Sequence, residues 1–330
     1  MRFHALLAAL ALSACADVHD DESPLDRTLA PIFNGSPPDA PEHAAVVGLH
    51  RRSGDSVALA PFCSGTLITP TVVLTAAHCL DVASAGKPKP TTISAGAVAI
   101  YVGNHAAVDP APQVFGVVEA RIHPSYNRFS NNNDIGLLRL AAPVNGVAPV
   151  PALPQALGLT NGDIGTLMNF AGFGLTENGD SGVKLQVDLP LGGLGCSVPG
   201  CPSPGDAATM VSYRQGGVGG PCSGDSGGPM FVYRGGAAYV GAVTSYGDAA
   251  CTIYGVSARA DAAAAVISAF TNVAPPPPPG GCGDGVCGQG ESCDGRNGTV
   301  ACGDCAGRTG GPSSRRYCYV EGVCSGAGCP

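Results

Sequence analysis

The chain has 330 residues, enough for two or more units that each bury a core. It is rich in glycine (49) and proline (29), has no tryptophan and is only 13% charged, which favours short strands and turns over long amphipathic helices. A net charge of −8 gives no basic patch for nucleic acid, and fifteen cysteines argue against a reducing compartment.

Met1-Arg2-Phe3-His4 is a short basic start, and the apolar run from Ala5 to Leu12 is too short to span a bilayer. Leu12-Ser13-Ala14-Cys15 resembles the lipobox of bacterial lipoprotein signals. That resemblance implies a signal peptide over 1–14, lipid on Cys15 and a membrane contact through it. The rival is an ordinary secretory signal with an unrelated cysteine. Lipidation is preferred because setting Cys15 aside leaves fourteen cysteines, an even number that can pair completely. The expected location is a bacterial outer membrane or cell surface, with release on activation. Residues 15–31 are polar and acidic and read as a tether or pro-segment.

Short apolar runs follow at close intervals: Ala45 to Leu49, Thr71 to Leu74, Ala97 to Val102, Val114 to Val118 and Ile135 to Leu140. Two more, Pro229 to Tyr233 and Tyr239 to Val243, lie further on. Turn residues between them predict an all-β sandwich or barrel. Asp261 to Phe270, with an acidic first turn and alanine-rich filling, predicts one helix. Five prolines, Pro275 to Pro279, predict a stiff extended linker within 274–279. Residues 280–330 hold eight cysteines and read as a separate disulfide-knit module, because so small a unit cannot bury much core. Cys302-Gly303-Asp304-Cys305 admits metal binding as a rival, but six further cysteines in an exported chain favour disulfides.

Three local motifs carry chemistry. Thr75-Ala76-Ala77-His78-Cys79 comes first, then Asn133-Asp134-Ile135-Gly136-Leu137-Leu138, then Cys222 with Gly224-Asp225-Ser226-Gly227-Gly228-Pro229. A serine hydroxyl needs a base, and the base needs a group that orients it. In this order and setting the residues resemble the chymotrypsin/trypsin family of serine endopeptidases. The resemblance covers about 32–273 and implies two antiparallel six-stranded β-barrels closed by a C-terminal helix. It makes Ser226 the nucleophile, His78 the base and then acid, and Asp134 the holder of the imidazole tautomer. Asp163, Asp180 and Asp188 compete with Asp134 but lack as clear an apolar strand behind them. Gly136 departs from the family pattern, which has alanine there. Backbone N–H groups of Gly224 and Ser226 would form the oxyanion hole.

The resemblance also implies disulfides Cys63–Cys79 and Cys222–Cys251, leaving Cys196–Cys201 as a local staple. A loop as long as 63–79 contributes about 3 kcal/mol in the chain-entropy model. Ile32-Phe33-Asn34-Gly35 matches the family's activated N-terminus, whose new ammonium pairs with Asp225. Pro31 stands where the family has Arg or Lys, so the activating cleavage differs from the usual one. Gly220 falls at the pocket base, with Pro221, Ser245, Tyr246, Gly247 and Gly255 around it. With no carboxylate at the base, the slot is expected to take a large uncharged side chain, although Asp248 stands at the rim. Substrates would be proteins or peptides, with neither cofactor nor metal. The alternative is a catalytically silent homologue serving as a binding module. The sequence names no partner for the tail.

Overall fold

The computed structural model describes residues 32, 34–110, 112–175, 181–202, 205–216 and 219–272. It also gives the backbone of two short strand pairs, Glu291–Ser292 with Val300–Ala301 and Tyr319–Val320 with Val323–Cys324. Cys15, the proline linker and the side chains of residues 280–330 lie outside the described residues.

Six strands form the first barrel: β1 (Val46–Ser53), β2 (Ser56–Thr69), β3 (Val72–Thr75), β4 (Val98–Val102), β5 (Gln113–Ile122) and β6 (Gly136–Leu140). They close in the order β1-β2-β3-β6-β5-β4, each antiparallel to its neighbours. The second barrel uses β7 (Leu167–Gly172), β8 (Leu185–Leu194), β9 (Met210–Arg214), β10 (Pro229–Arg234), β11 (Ala237–Gly247) and β12 (Tyr254–Arg259). Its order, β10-β11-β12-β9-β8-β7, repeats that scheme. Closure leaves no unpaired edge along either sheet.

Each barrel fills its interior with aliphatic and aromatic side chains. Val47, Leu49, Leu67, Leu74, Ile100 and Leu138 pack the first; Met168, Phe170, Leu189, Val211 and Val232 pack the second. The helix α2 (Ala264–Thr271) begins three residues later than the sequence suggests. Asp261 does not cap it, because its carboxylate accepts from Leu159 N at 3.1 Å and pairs with Arg259 at 2.5 Å. From the second barrel, α2 returns to the first. Arg139, fully buried on β6, donates to Phe270 O at 2.5 Å and lies 4.4 Å from the centre of the Phe270 ring. Burying Phe270 is worth about 1.5–3 kcal/mol.

Candidate active site

His78 sits on the single helical turn α1 (Ala77–Leu80), directly after β3, and Asp134 immediately precedes β6. Because β3 and β6 are neighbours, the two side chains meet. Asp134 is wholly buried; its Oδ2 accepts from His78 Nδ1 at 2.7 Å and its Oδ1 from the His78 backbone N–H at 2.8 Å. A third donor comes from the other barrel: Ser245 Oγ, 2.5 Å from Oδ2. The β11–β12 register slips between Thr244 and Tyr246, so Ser245 is the extra residue of a bulge that re-aims its side chain.

This geometry sets the charges. Burial disfavours both ionised forms, yet the charge and hydrogen bond of Asp134 outweigh it at His78, whose pKa is raised. Asp134 is likewise buried, but the His78 charge and three hydrogen bonds hold it below the usual carboxylate range.

Ser226 lies on the loop before β10. Ser64 N donates to its carbonyl at 2.8 Å, and Gly227 N donates to Thr244 O at 2.8 Å, so both barrels grip the loop. Gly224 has φ of +97°, a conformation that favours glycine, and a Cβ there would come within 2.8 Å of Gly174 Cα. Among the described residues, the N–H groups of Gly224 and Ser226 have no acceptor. Nor does the Ser226 hydroxyl bond to His78 Nε2 among them; Cys79 Sγ lies 3.8 Å from Nε2 and 3.5 Å from the Ser226 carbonyl oxygen. Catalytic hydrogen bonds are often long before substrate binds. Cys63, His78 and Cys79 converge, but the two sulfurs form a disulfide and offer no thiolate to a metal.

The structure forms the disulfides Cys63–Cys79, Cys196–Cys201 and Cys222–Cys251, none of which crosses between barrels. Ile32 and Asp225 are not brought together. Ile32 is fully buried in the apolar core of the second barrel, and in the continuous chain its nitrogen is an amide rather than an ammonium. Asp225 accepts from Gly174 N at 2.8 Å and Cys222 N at 2.9 Å. Burial without a cation raises its pKa to about 7 in spite of these two bonds.

Beside Ser226 is a hollow of about 160 Å³ lined by Pro221, Ser245, Tyr246, Gly247 and the Cys222–Cys251 disulfide. Two residues expected there are covered instead. A Cβ on Gly220 would collide with the Gln215 amide, and one on Gly255 with the Tyr213 ring. Tyr213 pairs with Gly255 across β9 and β12, so its side chain shares that face and occupies the space that the glycine leaves. The slot is therefore shallower than the glycines alone suggest. Asp248 at the rim is engaged: its carboxylate accepts backbone N–H groups of Ala250, Thr252, Ile253 and Tyr254. A second hollow of about 370 Å³, lined by His78, Asp81, Tyr126, Arg128, Asn131 and Ser245, continues the cleft.

The family model described as Trypsin matches residues 32–267. The chain belongs to the trypsin family. Brachyurin of Leptuca pugilator is 35% identical over 196 residues, covering 57% of this chain and 77% of that protein. Chymotrypsin-C of Bos taurus is 34% identical over 174 residues, covering 51% and 60%. Phenoloxidase-activating factor 3 of Holotrichia diomphalia is 32% identical over 201 residues, 56% of either chain. The chain thus spans little more than half the length of the last two relatives.

Within this trypsin-family frame, sequence reasoning missed the residues that support the site. Ser64 donates through Oγ to Gly224 O and accepts from Phe173 N, both at 2.9 Å. Thr75 Oγ1 donates to Ser64 O at 2.7 Å. The tie from Ser245 to Asp134 and the filling by Tyr213 and Gln215 were also unforeseen. The one available signal was the run Met210-Val211-Ser212-Tyr213, short and with the Val and Tyr that suit a strand.

Proposed function

We propose that this chain is a serine endopeptidase that works through an acyl-enzyme. Ser226 Oγ attacks the substrate carbonyl and passes its proton to His78 Nε2, while Asp134 keeps Nδ1 protonated and facing it. The N–H groups of Gly224 and Ser226 receive the oxyanion. His78 then gives its proton to the leaving amine as the C–N bond breaks, and water repeats the cycle on the ester. The observation that carries this reading is Asp134, buried and spanned by His78 and Ser245 beside the loop of Ser226. A catalytically silent binding module has no observation in its favour. The side chain accepted next to the scissile bond is uncharged, since the hollow offers no free carboxylate.

The test is labelling of Ser226 with a fluorophosphonate across pH. Labelling is expected to fall as pH drops through the pKa of His78, which lies above its ordinary 6.5, because imidazolium cannot take the serine proton. Absence of labelling at any pH, or a profile flat through that region, refutes the assignment.

The same reading includes anchoring and activation. Lipid on Cys15 holds the uncleaved chain at a membrane, and cleavage before Ile32 frees the protease because no later cysteine lies in 15–31. Ile32 has φ of +60°, a region that costs a β-branched residue about 1–3 kcal/mol. Cleavage would relieve it and supply the ammonium that Asp225 lacks. The sign of the pH effect follows. Asp225 keeps a proton in the folded chain between 3.8 and about 7 that the unfolded chain has lost, so stability falls as pH rises across that window. Relative to Asp225→Asn, the melting temperature of the uncleaved chain should drop between pH 4 and 7, and cleavage should abolish that drop. Fractionation with N-terminal sequencing should find the uncleaved form on membranes and the cleaved form soluble. Active enzyme still carrying lipid on Cys15 in one chain would overturn the scheme.

A further inference from the structure

The hollow beside Ser226 has a floor that the proposed activity does not by itself explain. Tyr213 lines it from β9, lies wholly buried, and fills the space above Gly255. Its hydroxyl makes no hydrogen bond of good geometry among the described residues; the Ser257 and Thr244 hydroxyls are near enough to act on it but do not close one. Gln215 Oε1 and Ser257 Oγ are likewise buried without partners. A buried polar group left unpaired is costly, and it gains most from a ligand that completes it.

Shape and chemistry then restrict the ligand. The Tyr213 ring limits depth, which disfavours the largest aromatic side chains. Pro221, Ala249 and the Cys222–Cys251 disulfide give apolar walls suited to a methylene stem. A hydroxyl both donates and accepts, and a carboxamide does the same. A lysine or arginine would meet an oxygen without negative charge, because Asp248 is spent on four backbone amides. A carboxylate would be brought toward Asp248 and the buried Asp225.

We propose that Tyr213 is a specificity-determining residue whose hydroxyl selects an uncharged, amide-ended side chain, glutamine before asparagine, on the acyl side of the scissile bond. This rests on the endopeptidase reading, so the experiment has two arms. In the first, the protein freed by cleavage before Ile32 cleaves a peptide series differing only at that position: Gln, Asn, Met, Leu, Phe, Trp, Arg. In the second, the Ser226→Ala protein binds product peptides that end in the same residues, measured by calorimetry without turnover.

Glutamine is expected to exceed methionine, its near-isostere, by about tenfold or more in kcat/KM and in affinity. Tyr213→Phe should erase that ratio by lowering the glutamine values toward those of methionine. Tyr213→Ala should raise phenylalanine and tryptophan relative to glutamine. A glutamine-to-methionine ratio that survives Tyr213→Phe, or an arginine-dominated profile in the unmodified protein, overturns the proposal. If the protein does not cleave and resists fluorophosphonate, the endopeptidase reading fails, and the binding arm alone decides the role of Tyr213.

Discussion

Replacing Ser226 with alanine is expected to lower kcat by about 10⁶-fold, as removal of the nucleophile does when three residues act as one unit. The change deletes one oxygen at a half-buried position that makes no side-chain hydrogen bond among the described residues. The fold should therefore survive: the loop is held by the Ser226 carbonyl with Ser64 and by Gly227 with Thr244, both backbone bonds at 2.8 Å. Steady-state hydrolysis and thermal melting, measured on the same preparation, check both halves. Turnover near that of the unmodified protein would remove Ser226 from the mechanism.

Asp134→Asn should cost about 10⁴-fold in kcat at neutral pH, because it corrupts the tautomer rather than the shape. The carboxylate accepts three hydrogen bonds, two on Oδ2 and one on Oδ1. An amide has a single acceptor oxygen. Its NH₂ must face either the His78 backbone N–H or the pair formed by His78 Nδ1 and Ser245. Where it faces the ring, Nδ1 becomes the acceptor and Nε2 carries the proton, so the ring cannot take another from Ser226. Ser245→Ala removes one donor and leaves the tautomer intact, so its loss should be far smaller. Rates for both variants from pH 6 to 10 provide the check, and equal losses would show that orientation by Asp134 is not the controlling effect.

The architecture was largely legible because its signals are local. Val98 to Val102 and Gly136 to Leu140 are continuous buried runs, and each appears as a strand. The strands that escaped notice have mixed composition. β2 is interrupted by Ala60-Pro61 and Ser64-Gly65, and β8 carries Pro190 and two glycines. Their regularity comes from pairing with neighbours, which no short window contains. The departure at Gly136 has a reason that only three dimensions reveal: a Cβ there would lie 2.7 Å from Ala76 O, against the turn that carries His78. The pocket was the least legible part. Gly220 and Gly255 read as empty space, whereas Gln215, just past the end of β9, and Tyr213, on β9, fill it from five or more residues away in sequence.

The seam between the barrels has a practical consequence. Among the described residues each of the three disulfides stays within a single barrel, and after β6 the chain passes from the first barrel to the second at a sharp border. Val150 N still bonds to Leu67 O in the first barrel, whereas Pro151 O already accepts from Val240 N in the second. Opening the chain between Val150 and Pro151 would therefore cut no strand and, among the described residues, no cystine, while the Ser36–Gln186 and His105–Val183 bridges would run between the two pieces. It would place His78 and Asp134 on one fragment and Ser226 with Ser245 on the other. Neither fragment could hydrolyse a peptide alone, and α2 with its Arg139–Phe270 contact would supply the re-docking surface. Fused to two candidate binding partners, such halves would act as a complementation reporter, with restored peptide cleavage measuring how often the partners meet.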